Sequence, residues 1–259
     1  SSEASMPGSN SRLVAYSQVV LFFGAFLLFW EYGVRYFEVK SYILPPLSAI
    51  VVAVWEARTE VFEHSMYTLA EVLIGFGAAV VIGVMLGMVV YVSPFAQRTI
   101  YPLVTALQTT PKSALAPLMI VWFGYGFISK VAMAFLFAFF PIVVATLGGF
   151  AGTAKNLEEH FRALNAGPWR TFTTLRLPSA LPSFIDGCRV AMPLAMIGAI
   201  IGELVGSERG LGNLIMMATA SSRTDLVFGC IIVITLISLA LYALIEFAAK
   251  AVWWRGIQV

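Results

Sequence analysis

The chain has 259 residues, 59% of them hydrophobic and only 12% charged, where soluble domains carry roughly 25% charged residues. That composition excludes a soluble globular protein. A net charge of +2 and two cysteines, Cys188 and Cys230, both in apolar surroundings, support neither a nucleic-acid surface nor a disulfide framework.

A bilayer core about 30 Å thick needs ~20 mostly apolar residues per helix, so uncharged runs of that length mark the spans. After a polar start over residues 1–12, the run 13–30 reads as the first membrane helix. It is too long for a signal-peptide core, and no small-residue cleavage site follows before Glu31. Residues 45–66 are partly polar and predict a short amphipathic helix lying along the surface, with Glu56, Glu60 and Glu63 clustered near its end. The run 72–92 is a clear second span. The third, 99–123, carries Pro102, Pro111, Pro117 and Lys112, so it must be bent or broken where protein surrounds it. Residues 131–151 form the fourth span. The fifth, 183–205, holds Asp186, Arg189, Pro193 and Glu203 and therefore faces protein or water. Residues 226–245 complete a set of six. The resulting domain division is a polar segment over 1–12 and a membrane domain over 13–259.

Glycine pairs four apart, Gly83/Gly87, Gly148/Gly152 and Gly198/Gly202, predict close helix packing inside one bundle. No internal repeat of halves is visible, which disfavours a secondary transporter built from inverted repeats. With six spans both termini share a side. Cytoplasmic termini place Arg12, Arg98, Lys155, Arg162, Arg170, Arg176, Lys250 and Arg255 inside, and Arg35, Lys40, Arg58, Lys130, Arg209 and Arg223 outside. Trp30, Trp253 and Trp254 are expected as anchors at the membrane interface.

The loop 152–182 is too patterned to be a plain connector. Leu157, Phe161 and Leu164 fall at i, i+4 and i+7 on one helical face, while Glu158, Glu159 and Arg162 occupy the other. Asn165-Ala166-Gly167-Pro168 supplies a turn: Asn or Gly ends the first helix in a left-handed conformation, and Pro168 suits the first turn of a second helix presenting Trp169, Phe172 and Arg176. Pro178 and Pro182 are expected to stop that helix before the fifth span. The exposed apolar ridge needs a cover. Pattern alone leaves open whether the ridge folds back on its own bundle or enters a groove on a soluble partner.

Among isolated charges, Lys112 could attract anions or snorkel to the interface. Glu203 is expected to fix a gate region through a hydrogen bond or ion pair, with Arg189 or Lys112 as partner, and Asp186 and Arg189 lie nearly one turn apart and can pair with each other. His64 and His160 have no metal-ligand spacing, and no acid/base/nucleophile set occurs. No cofactor is implied. No glycine-rich phosphate loop ending in Gly-Lys-Ser/Thr is present either, so any ATP chemistry belongs to a partner.

The string Glu158-Glu159-His160-Phe161-Arg162-Ala163-Leu164-Asn165-Ala166-Gly167, followed by Leu177-Pro178, resembles the cytoplasmic "EAA" loop of permease subunits from binding-protein-dependent ABC importers. Pro111-Lys112-Ser113-Ala114-Leu115-Ala116-Pro117-Leu118, running into Trp122-Phe123-Gly124, is similar to the broken-span signature of the nitrate/sulfonate/taurine group of these permeases. Gly202-Glu203-Leu204, Gly210-Leu211-Gly212 and Arg223-Thr224-Asp225 resemble the same group. Two positions depart from the loop pattern, Phe161 for an alanine and Asn165 for a glycine, and Glu71 stands where relatives often carry a basic residue.

The resemblance implies an all-α membrane protein with six transmembrane helices and a cytoplasmic coupling-helix loop, as in type I ABC importer permeases. It implies a transport subunit rather than an enzyme, in the bacterial inner membrane. Leu157, Glu158, Glu159, Phe161, Arg162, Leu164, Asn165 and Gly167 would couple to a cytoplasmic ATPase dimer that holds the ATP and magnesium. Pro111, Lys112, Pro117 and Glu203 would line the pathway or gate. An external or lipid-anchored binding protein would deliver a sulfonate, taurine, nitrate or pyrimidine-type vitamin precursor, and a second permease copy would complete the pathway. The competing class is an ion-gradient-driven transporter or channel, which would depend on intramembrane charges such as Asp186 and Glu203.

Overall fold

A computed structural model describes residues 9–253, and every regular element among the described residues is helical. Helix α1 spans Ser9–Tyr36 and α2 Leu47–Glu56; after Ala57 the long α3 runs from Arg58 to Val92. Helix α4 (Pro94–Gln108), a 3-10 turn (Lys112–Leu115) and α5 (Ala116–Phe123) lead into α6 (Phe127–Ala151). Two short helices, α7 (Lys155–Ala163) and α8 (Pro168–Thr171), precede a π turn (Phe172–Arg176) and α9 (Leu177–Val205). Helices α10 (Leu211–Ala220) and α11 (Thr224–Trp253) complete the described residues.

Among the described residues, five helical stretches are long and apolar enough to cross a bilayer: Ser17–Tyr36, Arg58–Val92, Phe127–Ala151, Pro168–Val205 and Thr224–Lys250. The expected third span is the broken one. It is divided into α4 and α5 at Thr109–Pro111, with Pro102 inside α4 and Pro117 in the first turn of α5. A proline ring cannot donate to the preceding turn, so the break falls where the chain places these residues.

Two expectations about helix limits need correction. Residues 45–66 do not form one helix lying on the surface. Helix α2 packs Ile50 and Ala53 inward, Ala53 against Leu226 and Cys230 of α11, and residues from Arg58 onward belong to α3. At 35 residues α3 is about 52 Å long, well over the hydrocarbon thickness, so its polar first turns extend beyond the apolar run. Nor do Pro178 and Pro182 interrupt the chain, since helix continues from Pro168 to Val205. The π turn is the reason: Leu177 N–H bonds to Phe172 C=O five residues back, and this wider winding gives the Pro178 ring room where a tight α turn would clash.

The core is a three-helix contact in which α6 packs along α9 on one side and α3 on the other. Ala134, Ala138, Ala191, Ala195 and Ala199 are fully buried there. A Cβ on Gly83 would lie 2.8 Å from Ile142, one on Gly87 2.8 Å from Thr146, and one on Gly198 2.5 Å from Met133 C=O. These glycines therefore set the interhelical distance. The pair Gly148/Gly152 does not serve this way. The space beside Gly148 is open, and it is the neighbouring Gly149 whose added Cβ would meet Ala180 C=O at 2.8 Å.

Helix α1 is fastened near its end. Trp30, expected as an interfacial anchor, is half-buried: its Nε1 donates to Pro45 C=O (3.1 Å) and its ring stands edge-on to Phe228. Glu31 accepts from Ser48 N–H (3.1 Å) and pairs with Arg35 (2.6 Å). The side chains of Arg12, Lys155, Trp253, Trp254 and Arg255, and the polar start through residue 8, lie outside the described residues.

Forcing the core apart should be costly. Gly198→Leu is expected to destabilise the purified protein by about 1–3 kcal/mol through overpacking, read as a lowered thermal midpoint in detergent. Gly148→Ala, with no atom in its way, should leave that midpoint unchanged or slightly raised.

Candidate functional site

The patterned loop is built as a rigid cap. Helix α7 ends in a Schellman turn: Ala166 N–H bonds to Phe161 C=O (3.0 Å), Asn165 N–H to Arg162 C=O (3.0 Å), and Asn165 takes φ 50°. Asn tolerates this left-handed conformation better than most non-glycine residues, so it fills the role of glycine. Gly167 is extended and ordinary, and Pro168 opens α8 as expected.

Within that frame Leu157 and Leu164 are exposed, at 44% and 65%, whereas Phe161 between them is half-buried. Glu159 and Arg162 are exposed as expected. Glu158, expected on the outer polar face, instead turns inward and pairs with Arg176 of the π turn (2.9 Å). The Arg176 guanidinium lies 5.5 Å from the Tyr91 ring centroid. An aromatic ladder runs alongside: Trp169 stacks on Phe172 (6.2 Å), Phe172 on Phe150 (5.8 Å), and Phe150 on Tyr91 (5.3 Å). The loop is thus joined to α3, α6 and α9 together, with Leu157, Leu164 and much of Trp169 left uncovered.

A polar knot occupies the opposite end of the bundle. Glu203 on α9 is 1% exposed. The Thr68 hydroxyl of α3 donates to its Oε1 (2.7 Å) and accepts from Leu211 N–H (2.9 Å), while Gly212 N–H donates to its Oε2 (2.5 Å). Glu203 therefore joins the first turn of α10 to α3 and α9, where a carboxylate also suits the positive helix terminus. The Gly210-Leu211-Gly212 string is explained by this contact. Gly210 has φ 104°, and a Cβ on Gly212 would lie 2.8 Å from the Glu203 Cβ. Neither Arg189 nor Lys112 is the partner of Glu203. Arg189 bonds Asp186 (2.5 Å), as its spacing suggested, and Glu246 of α11 (2.8 Å).

Two charges join the knot. The carboxyl groups of Glu71 and Glu203 are within hydrogen-bonding reach of each other, and Lys130 lies within electrostatic reach of both. Lys130 was expected in an outside loop but is fully buried in the first turn of α6, where its Nζ donates to Tyr125 C=O (2.5 Å) and Gly126 C=O (3.2 Å). On the broken span, Pro111 and Pro117 are exposed, and Lys112 holds its Nζ over the Phe140 ring (4.9 Å) and near Phe137 (5.8 Å). Gly124, at φ 78°, ends α5 and explains the glycine of Trp122-Phe123-Gly124.

Residues 79–253 match the family described as the inner membrane component of binding-protein-dependent transport systems. The chain belongs to that family. The permease is 36% identical to the formylaminopyrimidine transport permease protein ThiX of Halalkalibacterium halodurans over 87% of this chain and 90% of that one. It is 32% identical to an aliphatic sulfonates transport permease protein, SsuC, of Bacillus subtilis over 77% of this chain and 73% of that one. Its fold is shared with the MetNI methionine ABC transporter in inward-facing form, with a TM-score of 0.62 and 20% identity, covering 81% of this chain and 98% of that one. The capped loop and Glu203 of the permease fall within the matched segment, whereas α1, α2 and the first part of α3, with Thr68 and Glu71, precede it.

Thr68 and Lys130 are members of the knot that the sequence did not single out as site residues. Thr68→Val would strip both Glu203 Oε1 and Leu211 N–H of their shared partner in a buried place. The expected loss is about 1–3 kcal/mol in the folded permease, with Thr68→Ser close to wild type, measured by thermal unfolding in detergent.

Proposed function

We propose that this permease pairs with a second copy of itself to form the pathway of an ATP-driven importer. A binding protein outside the membrane delivers a small organic solute, and two cytoplasmic ATPase subunits drive the switch. The observation that carries this reading is the uncovered pair Leu157 and Leu164 on a helix whose other side is fixed by Glu158, Arg176 and the aromatic ladder. Two exposed leucines on a rigid, water-facing helix are the anchors of helix-in-groove recognition. Arg162, Arg170 and Arg176 on the same loop support a cytoplasmic location for it, and with it for both termini. ATP and magnesium would sit on the partner ATPase.

Motion enters as a rigid-body displacement. When the ATPases close on ATP, α7 moves with them, and the Glu158–Arg176 pair passes that movement into α9 and, through the stacked rings, into α3 and α6. Alternation between inward and outward states then requires only that ATP and the loaded binding protein favour different arrangements. A two-fold dimer is the economical assembly for a single bundle of this kind. Pyrimidine and sulfonate or taurine solutes are the supported substrate classes. A gradient-driven transporter or channel is disfavoured, because Asp186 is paired with Arg189 and Glu203 is saturated by Thr68 and Gly212.

Glu159→Lys and Leu164→Asp change side chains that face water, so both variants should insert and fold normally. ATP-driven uptake into vesicles should fall at least tenfold, and the ATPase should no longer co-purify. Undiminished co-purification with either variant would refute the docking role of α7.

A further inference from the structure

We propose that Lys112, at the break of the third span, recognises anions in the solute pathway and selects a small organic solute with a sulfonate or carboxylate end. This rests on the importer reading above and extends it to substrate chemistry. The break sits at mid-membrane depth. Val104 of α4 packs with Phe140 and Val143, and Ala116 and Met119 of α5 pack with Met133, so the two half-helices run along α6 and part near its middle. The Lys112 ammonium lies over Phe140 (4.9 Å) and near Phe137 (5.8 Å), which stand at the centre of Phe127–Ala151. It therefore does not snorkel to either interface, the alternative that the sequence left open.

A cation at this depth needs a counter-charge, and none is present among the described residues. No carboxylate pairs with Lys112, and its N–H donors meet no oxygen acceptor there; two ring faces are its only partners. The shortage is written in the sequence. No Asp or Glu occurs from residue 72 to residue 157, so α4, α5 and α6 have no acid to offer, and a second copy contributing the same segment brings none. The neighbouring side chains are polar and open. Gln108, Thr110 and Ser113 are exposed and make no side-chain hydrogen bond among the described residues, and Lys112 itself is part-exposed. Lipid cannot satisfy such a row of groups at mid-depth, so this edge of the bundle faces the water-filled pathway that two copies enclose. An oxyanion there accepts from the ammonium and from the adjacent hydroxyls, whereas a neutral or cationic solute leaves the charge unmet.

The test places a reporter thiol beside the lysine with Ser113→Cys in the full-length permease in lipid nanodiscs, where the buried Cys188 and Cys230 give little background. Rates of modification by an anionic methanethiosulfonate, itself a sulfonate, and by its trimethylammonium counterpart are compared. Both reagents should react, and adding Lys112→Gln should lower the anionic-to-cationic rate ratio by about tenfold, while Lys112→Arg should keep it. Ethanesulfonate should slow the anionic reagent to a plateau, and the neutral ethyl methyl sulfone should not. If Lys112→Gln fails to fold, Lys112→Arg and the protection by ethanesulfonate still decide. The proposal is overturned if neither reagent reaches the thiol, if Lys112→Gln leaves the ratio unchanged, if ethanesulfonate gives no protection, or if the sulfone or sodium chloride protects equally well. Co-purification of the ATPase and ATP-dependent uptake by the whole complex, measured in parallel on the wild type, report on the importer reading independently of these outcomes.

Discussion

Helices α3, α6 and α9 stand so close that a methyl group would not fit between them at Gly83, Gly87 or Gly198, and this contact makes the rest of the permease possible. Lipid tails give apolar helices no reason to associate, so packing of small residues and internal polar bonds must supply the cohesion. Three rods held this tightly cannot bend independently. A force applied at one end arrives at the other as a displacement.

Each end of the bundle carries a polar fastening that turns this rigidity to use. At the loop end Arg176 binds Glu158 and covers Tyr91, so α7 is fixed to the start of α9 and the end of α3. At the far end Glu203 ties the last turn of α9 to Thr68 of α3 and to the start of α10. Both fastenings are made of hydrogen bonds within the protein, Glu158 with Arg176 at one end and Glu203 with Thr68 and Gly212 N–H at the other.

Much of this was legible from residue order. Uncharged runs located the spans, three prolines announced the broken one, and Asn165 marked the left-handed turn it adopts. Helix limits were less legible because charges that end an apolar run do not end a helix: Glu60, Glu63 and Glu71 continue α3 where protein or water accommodates them. Pro178 misled for a related reason, since the π turn before it absorbs the clash that normally makes proline a stop, whereas Pro182 lies inside α9 without ending it. The partner of Glu203 was out of reach, because Thr68 lies 135 residues away and no local spacing encodes that pairing. Its one local trace was the closely spaced glycines at 210 and 212. Lys130 was hidden by its position one residue before an apolar run, where it looked like an ordinary loop cation.

Docking of α7 into the ATPase is tested most directly by a cross-link from Leu164→Cys in the intact complex. The native Cys188 and Cys230 are buried and give little background. A short thiol cross-linker should join this position to the ATPase in high yield, with a yield that changes when ATP is added. Cross-linking only to the permease itself, in a complex that still hydrolyses ATP and transports, would contradict the assignment.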